Sequence, residues 1–354
     1  FYRWQRVRLD VLMDAGEPVG GRWNFDDQNR EPPPRDGRSW PAITHFPLDD
    51  IDDAVLQRLP DGWGATPQGV WPVTRAQALT RLAEFVDAGL APFGAHEDAM
   101  LSAEWKLAHS GLSSSLNLGL LHPAEVISAA VAAHARGHAP INSVEGFVRQ
   151  VMGWREYVWG VYWLWMPDYR DQNAFGATRA VPPAFTGEAE TDMACVKGVV
   201  AHVRDHGYAH HIERLMVLGN LALTAGVDPQ AMTQWMWASF VDGAEWVMVP
   251  NVVGMALFAD GGSMATKPYA SGGAYINRMS DFCKPCRFDP KKRTGPDGCP
   301  FTTLYWDFMD RNRDVLHKNH RMARQLGGID RLKDLDDTRA RAQEVLGLLD
   351  RGEL

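Results

Sequence analysis

The sequence predicts a mainly α-helical protein. From residue 75 onward, apolar residues recur at three- and four-residue spacing in six long stretches, which is the pattern of helices with one buried face. Runs in which apolar and polar residues alternate, as they do in half-buried strands, are nearly absent. Residues typical of helix starts or helix ends stand at several borders of these stretches: Ser143, Asp228, Pro229, Gly207, Gly226 and Gly327.

Three regions follow one another along the chain. Residues 1–70 are rich in Pro, Gly and Asp, so we expect irregular connecting structure there, with one helix at the start and a second at 48–59. Residues 75–265 carry most of the helical pattern. Residues 266–354 contain three of the four cysteines and form the third region. We find no internal repeat and no long low-complexity tract.

Composition excludes several classes of protein. The chain has 354 residues, of which 45% are hydrophobic, and this balance is typical of a globular protein. It has no run of about eighteen apolar residues, so we expect no membrane span. Four cysteines are too few for a secreted disulfide scaffold of this size. Because three of them crowd into one short segment, we expect a metal site in a protein of the reducing cytoplasm.

Basic charge is concentrated near the cysteines. The whole chain has a net charge of −8, which argues against nucleic-acid binding through bulk charge. Between Lys267 and Arg324, however, twelve Lys or Arg residues stand against six Asp residues, a local balance of +6. This concentration is typical either of a solvated face or of a surface for phosphate groups.

The cysteine spacing indicates a metal centre. Cys283 and Cys286 share one tight turn, and Cys299 follows a loop rich in Pro and Gly. Such spacing suits tetrahedral zinc and an iron–sulfur cluster equally well. Cys195 is the remaining candidate for a fourth ligand, and a buried core thiol is the alternative interpretation of that residue.

A resemblance to a known family runs along most of the chain. The segments that carry it are GGRWNFDDQNR at 20–30, FGAHEDAM at 93–100, HSGLSSSLNLGLLHP at 109–123, INSVEGFVRQVMGWREYV at 141–158, HHIERLMVLGN at 210–220, WVMVPNVVGMALFADGG at 246–262 and the cysteine segment. In this order they resemble the iron–sulfur bacterial cryptochromes and photolyases, which include the prokaryotic (6-4) photolyases. FVRQVMGWREY alone is typical of the wider superfamily, whereas His-His-x-x-Arg-x-Met and the four cysteines are specific to this branch.

The resemblance implies a domain organisation and a cluster. Residues 1–74 correspond to the linker and N-terminal helical segment, residues 75–265 to the helical FAD-binding domain, and residues 266–354 to the cluster and DNA-contact region. An N-terminal antenna domain with a lumazine-type pigment is expected before Phe1, so we expect this chain to be a fragment. The resemblance also implies a [4Fe–4S] cluster in place of zinc, with these ligands: Cys195, Cys283, Cys286 and Cys299.

FAD is the second cofactor that the resemblance implies. Small hydroxyl residues of HSGLSSSLN are expected near its phosphates, although helix capping is the alternative for such a Ser-rich turn. Arg155 and Asp242 resemble a buried pair over the isoalloxazine ring, where the pair would tune the charge of the flavin. The full set of expected FAD contacts is Ser110, Leu112, Ser113, Asn117, Arg155, Trp235, Asp242 and Asn251.

His210 and His211 are the predicted catalytic residues. Repair of a (6-4) lesion needs a proton donor, and imidazole is the side chain that exchanges a proton near neutral pH. An ordinary surface pair is the alternative interpretation. His202 and His206 also have the spacing of a metal pair, but we expect them to be structural because no third ligand follows at a suitable distance.

Damaged DNA is the expected partner of a monomeric protein. The damaged dinucleotide has to leave the helix to reach the flavin, so the protein is expected to contact the backbone and to read shape. The predicted phosphate contacts are Lys291, Lys292, Arg293, Arg311, Arg313 and Arg321.

Three positions depart from the family pattern. Phe185 stands where a Trp is usual, in a segment that has additional residues. Met236 replaces a common Tyr, and Met248 stands where a Glu commonly approaches the flavin. We expect the first two changes to interrupt electron hopping from the surface, with Trp237 and Trp246 as alternative steps.

The sequence leaves three functions open. The leading one is a light-driven (6-4) photolyase. The others are a cryptochrome photoreceptor with the same cofactors and a DNA-binding iron–sulfur module similar to primase large subunits.

Overall fold

Helices make up nearly all of the regular secondary structure in the computed structural model, which describes residues 1–60 and 62–354. The short antiparallel pair of strands β1 (Met13–Asp14) and β2 (Glu17–Pro18) joins Met13 to Pro18 and Asp14 to Glu17. The mainly α fold class predicted from the sequence is therefore confirmed.

Contacts within the chain define two compact units, Phe1–Gly160 and Val161–Leu354. The first contains α1 (Tyr2–Leu9), α2 (Asp50–Leu56), α3 (Arg75–Glu84), α4 (Leu90–His96), α5 (Ser113–Asn117), α6 (Pro123–Ala135), α7 (Ile141–Val148) and the start of α8 (Glu156–Trp165). The second contains the end of α8, α9 (Pro183–Thr186), α10 (Ala194–His206), α11 (His211–Glu213), α12 (Asn220–Ala225), α13 (Pro229–Ser239), α14 (Glu245–Val249), α15 (Gly273–Met279), α16 (Pro300–Arg311), α17 (Arg313–Leu316), α18 (Ala323–Ile329) and α19 (Leu335–Arg351). This division does not test the predicted functional borders at 74/75 and 265/266.

Wider and tighter helical turns interrupt these helices. Four π-helical segments cover Phe85–Gly89, Arg149–Arg155, Arg214–Gly219 and Pro250–Ala256, and short 3₁₀ turns cover Val19–Gly21, Asp26–Gln28, Asp168–Asp171 and His320–Met322. π-Helical segments are rare and occur frequently at functional sites.

Local signals explain where several helices begin and end. Asp228 caps α13, because its carboxylate accepts a hydrogen bond from the Ala231 amide at 2.8 Å. Gly207 and Gly226 end α10 and α12 in the left-handed conformation, with φ of 61° and 83°. The sequence predicts a helix end at Gly327, but this residue lies inside α18, where the helix continues to Ile329.

Ser143 is not a helix start, because α7 already begins at Ile141. Its hydroxyl donates to the Ala91 carbonyl at 2.8 Å and accepts from the Gly94 amide at 3.0 Å, which ties α7 to α4. A Cβ atom on Gly94 would stand 2.6 Å from the Cα of Ser143, so glycine is required for this close approach. Tertiary packing therefore determines the role of this serine.

Each unit has its own apolar core. In the first, Phe147 packs on Phe85 and Phe93, with ring centroids 4.6 and 5.9 Å apart. In the second, every residue of α12 is buried, and this helix packs against α16. Among the described residues, no helix combines the length and the apolar character needed to cross a bilayer.

Candidate functional site

The four cysteines line one small cavity in the second unit. Cys195 is the second residue of α10, and Cys299 is the N-cap of α16, where Pro300 starts the helix. Cys283 and Cys286 lie on the turn after α15. The remaining walls are almost entirely apolar: Met193, Gly273, Ile276, Phe282, Phe288, Pro300 and Phe301.

The thiols influence one another electrostatically. Burial raises the pKa of Cys195 well above its usual value, and the other three cysteines add to this shift. Burial also raises the pKa of Cys283 to about 12, with smaller contributions from Cys299 and Cys286. A bound cationic centre would reverse these shifts, because it stabilises thiolates.

Gly273 forms a close wall of this cavity. A Cβ atom on Gly273 would stand 2.8 Å from the Cys299 sulfur, so this wall has to be glycine. Among residues 1–60 and 62–354, no group of three or more His, Cys, Asp or Glu side chains converges closely enough for a single metal ion. Thiols around one cavity are compatible with either centre, and the iron–sulfur cluster stays a prediction.

The Ser-rich turn of the first unit offers polar groups to a ligand. The hydroxyl oxygens of Ser113, Ser114 and Ser115 are buried at the start of α5 and make no hydrogen bond within the described part of the chain. Buried polar atoms of this kind require a partner, so the turn fits a polar group such as a phosphate. Helix capping does not account for these serines, because the N-cap of α5 is Leu112 and makes no side-chain cap.

The other predicted FAD contacts of the first unit surround this turn. Ser110 accepts a hydrogen bond from the Leu112 amide at 3.4 Å, and Leu112 is buried. Asn117 is the half-buried last residue of α5. Arg155 donates to the Leu116 carbonyl at 3.3 Å, and burial lowers the pKa of Arg155.

In the second unit, Asp242 forms an ion pair with Arg214. The two side chains make paired hydrogen bonds of 2.9 and 3.0 Å, and only 7% of Asp242 and 17% of Arg214 are exposed. Arg214 also donates to the Ala209 carbonyl at 2.6 Å and lies over the Phe240 ring. Asp242 is therefore paired with Arg214, the Arg of the motif His-His-x-x-Arg-x-Met, and the expected pairing of Asp242 with Arg155 stays a prediction.

Trp235 and Asn251 occupy partly buried positions in the second unit. Trp235 packs on Phe185 and Phe240, with centroids 5.2 and 5.9 Å apart. Asn251 donates to the Val247 carbonyl at 2.8 Å from within a π-helical segment. Arg155 and Arg214 also lie in π-helical segments, so these three polar residues share the same kind of irregular backbone.

The departures from the family pattern all lie in the interior. Phe185 has no exposed surface, and Met236 and Met248 are each 3% exposed. Of the two alternative tryptophans, Trp237 is 44% exposed and Trp246 is half-buried. The positions that lack a Trp, Tyr or Glu side chain are therefore packed apolar positions.

The two predicted catalytic histidines have different environments. His210 is fully buried before α11, and its Nε2 lies 3.6 Å from the Glu213 carboxylate. His211 presents its side chain to solvent although much protein surrounds it. Burial, assisted by the charge of Arg214, lowers the pKa of His211 to about 4, so this imidazole is neutral at pH 7.

Most of the predicted phosphate contacts already pair with aspartates. Arg293 forms an ion pair with Asp334, with contacts of 2.6 to 2.9 Å, and Lys292 pairs with Asp297 at 2.5 Å. Arg311 pairs with Asp307 and Arg313 with Asp330, at 2.8 and 2.9 Å. Within the described residues, Lys291 and Arg321 are exposed and form no ion pair.

Comparison with known proteins identifies the family. The (6-4) photolyase of Agrobacterium fabrum is 46% identical to this chain over 356 aligned residues, which cover 99% of this chain and 70% of the relative. This chain belongs to the (6-4) photolyase family. The family model described as deoxyribodipyrimidine photo-lyase-related protein matches residues 1–68.

Two further comparisons are more distant than this (6-4) photolyase. An uncharacterized protein of Acanthamoeba polyphaga mimivirus is 33% identical over 99 residues, which are 28% of this chain and 73% of the viral protein. The crystal structure of a bacterial class III photolyase from Agrobacterium tumefaciens aligns with 81% of this chain and 60% of its own, at a TM-score of 0.49 and 18% identity.

Two charged residues of this photolyase-family chain have partners that were not predicted from the sequence, although Arg214 is the Arg of the motif His-His-x-x-Arg-x-Met. Arg214 and Glu213 lie inside the quoted motif HHIERLMVLGN, but the apolar spacing of that segment marks a helix and not the partners of its charged residues. A charged residue within an otherwise buried helix is the signal that could have drawn attention to them. Glu213 has no exposed surface.

Proposed function

We propose that this protein uses light to repair (6-4) pyrimidine photoproducts in DNA. The observation that carries the proposal is the 46% identity, over 99% of the chain, to a protein named (6-4) photolyase. A buried histidine next to an accessible one is the arrangement that supports proton donation in this reaction. The cytoplasmic location and the monomeric state remain predictions.

FAD, when bound, would supply the electron transfer that light drives. We propose that Ser110, Leu112, Ser113 and Asn117 would contact it, and the supporting observation is the buried unpaired hydroxyl of Ser113 next to those of Ser114 and Ser115. The Arg214–Asp242 pair places a fixed guanidinium charge in the apolar interior, where it would stabilise an anionic ligand.

Four further residues complete the proposed flavin contacts. Asn251 offers an amide and Trp235 an aromatic face in the second unit. Arg155 remains a proposed contact of the first unit, where it donates to the Leu116 carbonyl, and Asp242 is paired with Arg214 in the second unit.

The cluster site would serve the architecture of the second unit. We propose that Cys195, Cys283, Cys286 and Cys299 hold a [4Fe–4S] cluster, since their thiols surround one apolar cavity. Such a centre would join the start of α10 to the N-terminus of α16 and to the turn after α15. Its contribution is then structural, whatever redox role it also has.

Contacts with damaged DNA would come from exposed basic residues. Lys291 and Arg321 are the best-supported members of the predicted set, because the other four have aspartate partners. Phosphate contacts of this kind position the duplex and carry no sequence information.

The function is tested by irradiating the reduced protein with an oligonucleotide that contains one (6-4) photoproduct. We expect repaired product by chromatography with the wild type and none with His211→Ala, which should still bind FAD because the change removes an accessible imidazole. His206→Ala, at the end of α10, is the matched control and should retain repair. Light-driven flavin reduction without any repair would assign the protein to the photoreceptors instead.

A further inference from the structure

A buried carboxylate lies between two histidines in the second unit. Glu213 has no exposed surface, and its Oε1 lies 3.2 Å from Nδ1 of His202 and 3.6 Å from Nε2 of His210. Its Oε2 lies 3.3 Å from the same His202 nitrogen. His202 comes from α10 and His210 from the turn before α11, so two separate elements supply the imidazoles.

Helix capping explains only part of this arrangement. Glu213 is the third residue of α11, and its carboxylate accepts a hydrogen bond from the backbone amide of His210, the N-cap residue. A neutral glutamine can accept the same bond. A charged carboxylate without surface exposure is costly, so capping alone does not account for its presence between two imidazoles.

The two adjacent histidines differ in their ability to carry a proton. The side chain of His211 is exposed, and the protein around it, together with the charge of Arg214, lowers its pKa, which leaves this imidazole neutral at pH 7. His210 is fully buried and its Nε2 faces the Glu213 carboxylate, so a proton on this imidazole would have an ion-pair partner. At 3.6 Å the carboxylate acts on the His210 ring through its charge, at the distance of an ion pair, while it lies within hydrogen-bond distance of His202.

We propose that Glu213 is a positioning residue that, together with His202, orients His210 and keeps it loaded with the proton used in lesion repair. This role rests on the proposed photolyase function and adds one residue to it. His210 then holds the proton in the protein interior, and His211 is the accessible imidazole beside it. Glu213 contacts neither lesion nor cofactor and acts only through the histidines.

Other charged groups in the second unit surround this cluster. Burial raises the pKa of Glu213, while His202, the His210 amide and Arg214 oppose that shift. Arg214 is paired with Asp242, which offsets part of its positive charge near the histidines. Tyr208 is buried, with a raised pKa, and stays neutral, and Asp205 acts weakly from the end of α10.

The test compares Glu213→Gln with wild type in the purified holoprotein. Glutamine preserves the size of the side chain and the acceptor for the His210 amide but removes the charge. Without the carboxylate, the pKa of the His210 imidazole should fall. The pH above which repair is lost should therefore decrease by about one unit or more. At pH 8 we expect the repair yield of prereduced protein to fall about tenfold, which is the change in protonated imidazole that one unit produces.

Two further variants separate positioning from packing. Glu213→Asp keeps the charge and should restore part of the yield together with the wild-type pH midpoint. Glu245→Gln removes a carboxylate that pairs with Arg170 and Tyr162 elsewhere in the same unit, and it should leave the midpoint unchanged. Far-UV circular dichroism and FAD content establish that each variant is folded.

An independent measurement keeps the inference testable if the wild type repairs nothing. Titration of ¹³C-labelled histidine side chains by NMR should show one imidazole, assigned with His210→Gln, whose pKa falls in Glu213→Gln. An unchanged midpoint of both repair and imidazole titration would overturn the proposal and leave Glu213 as a helix cap. Absence of repair in wild type with a shifted imidazole pKa would reject the photolyase function while retaining the Glu213–His210 coupling.

Discussion

The ion pair of Arg214 and Asp242 allows a quantitative prediction. Asp242→Asn keeps the shape of the side chain but removes its charge, so a guanidinium that is 17% exposed loses its only paired carboxylate among the described residues. The Ala209 carbonyl and the Phe240 ring still hold Arg214 in place. An unpaired buried charge costs about 3 to 5 kcal/mol, and the remaining amide acceptor places this variant near the lower value of about 3 kcal/mol.

The same substitution at Asp205 is the matched control. Asp205 pairs with Arg204 at 2.8 Å in the same unit, but the two side chains are 45% and 47% exposed. Solvent screens such a pair, so Asp205→Asn should change the free energy of unfolding by less than about 1 kcal/mol. Both variants should be compared by urea unfolding followed by circular dichroism, with the FAD content of each sample measured.

Cofactor loss has to be separated from loss of the ion pair. Binding of FAD stabilises the folded state by mass action, so the unfolding series should be repeated with excess FAD. We expect a difference of about 2 to 3 kcal/mol between the two variants to persist, and Asp242→Asn to melt roughly 6 °C below wild type. Equal unfolding curves for both variants would refute the reasoning that burial sets the value of this pair.

Three further predictions concern the cluster, the DNA surface and the electron route. Purified protein should contain about four iron and four sulfide per chain, and Cys195→Ser should lower both iron content and melting temperature; stoichiometric zinc would contradict this. Lys291→Glu should weaken binding to all DNA sequences alike and reduce the salt dependence, whereas unchanged affinity would leave the patch as a solvated face. Because Phe185 and Met236 are buried apolar residues, blue light should reduce the oxidised flavin slowly, whereas protein that is already reduced should repair DNA normally. The double variant Phe185→Trp with Met236→Tyr should accelerate this photoreduction. Fast photoreduction of the wild type would show that Trp237 or Trp246 carries the electron.

Local sequence was sufficient for the helices and for many of their ends. Asp228 before Pro229 starts a helix and Gly207 ends one, because capping and left-handed backbone depend on the residue itself and its immediate neighbours. Ser143 and Gly327 are residue types that favour a helix start and a helix end, but both lie inside helices. Tertiary packing overrides the local preference at these positions. The family and the set of four cysteines were also recognisable, since both depend on residue type and spacing.

Tertiary structure alone decided which charged groups meet. Arg214 and Asp242 are separated by 28 positions, and Arg293 and Asp334 by 41, and no periodicity links either pair. In the sequence, Glu213 is a single charged residue of a helix. The fold places His202, from the previous helix, beside it. Partners of this kind depend on how helices cross, whereas residue propensity and spacing describe each helix by itself. The sequence therefore determined the helices, and the fold determined the electrostatics of the site.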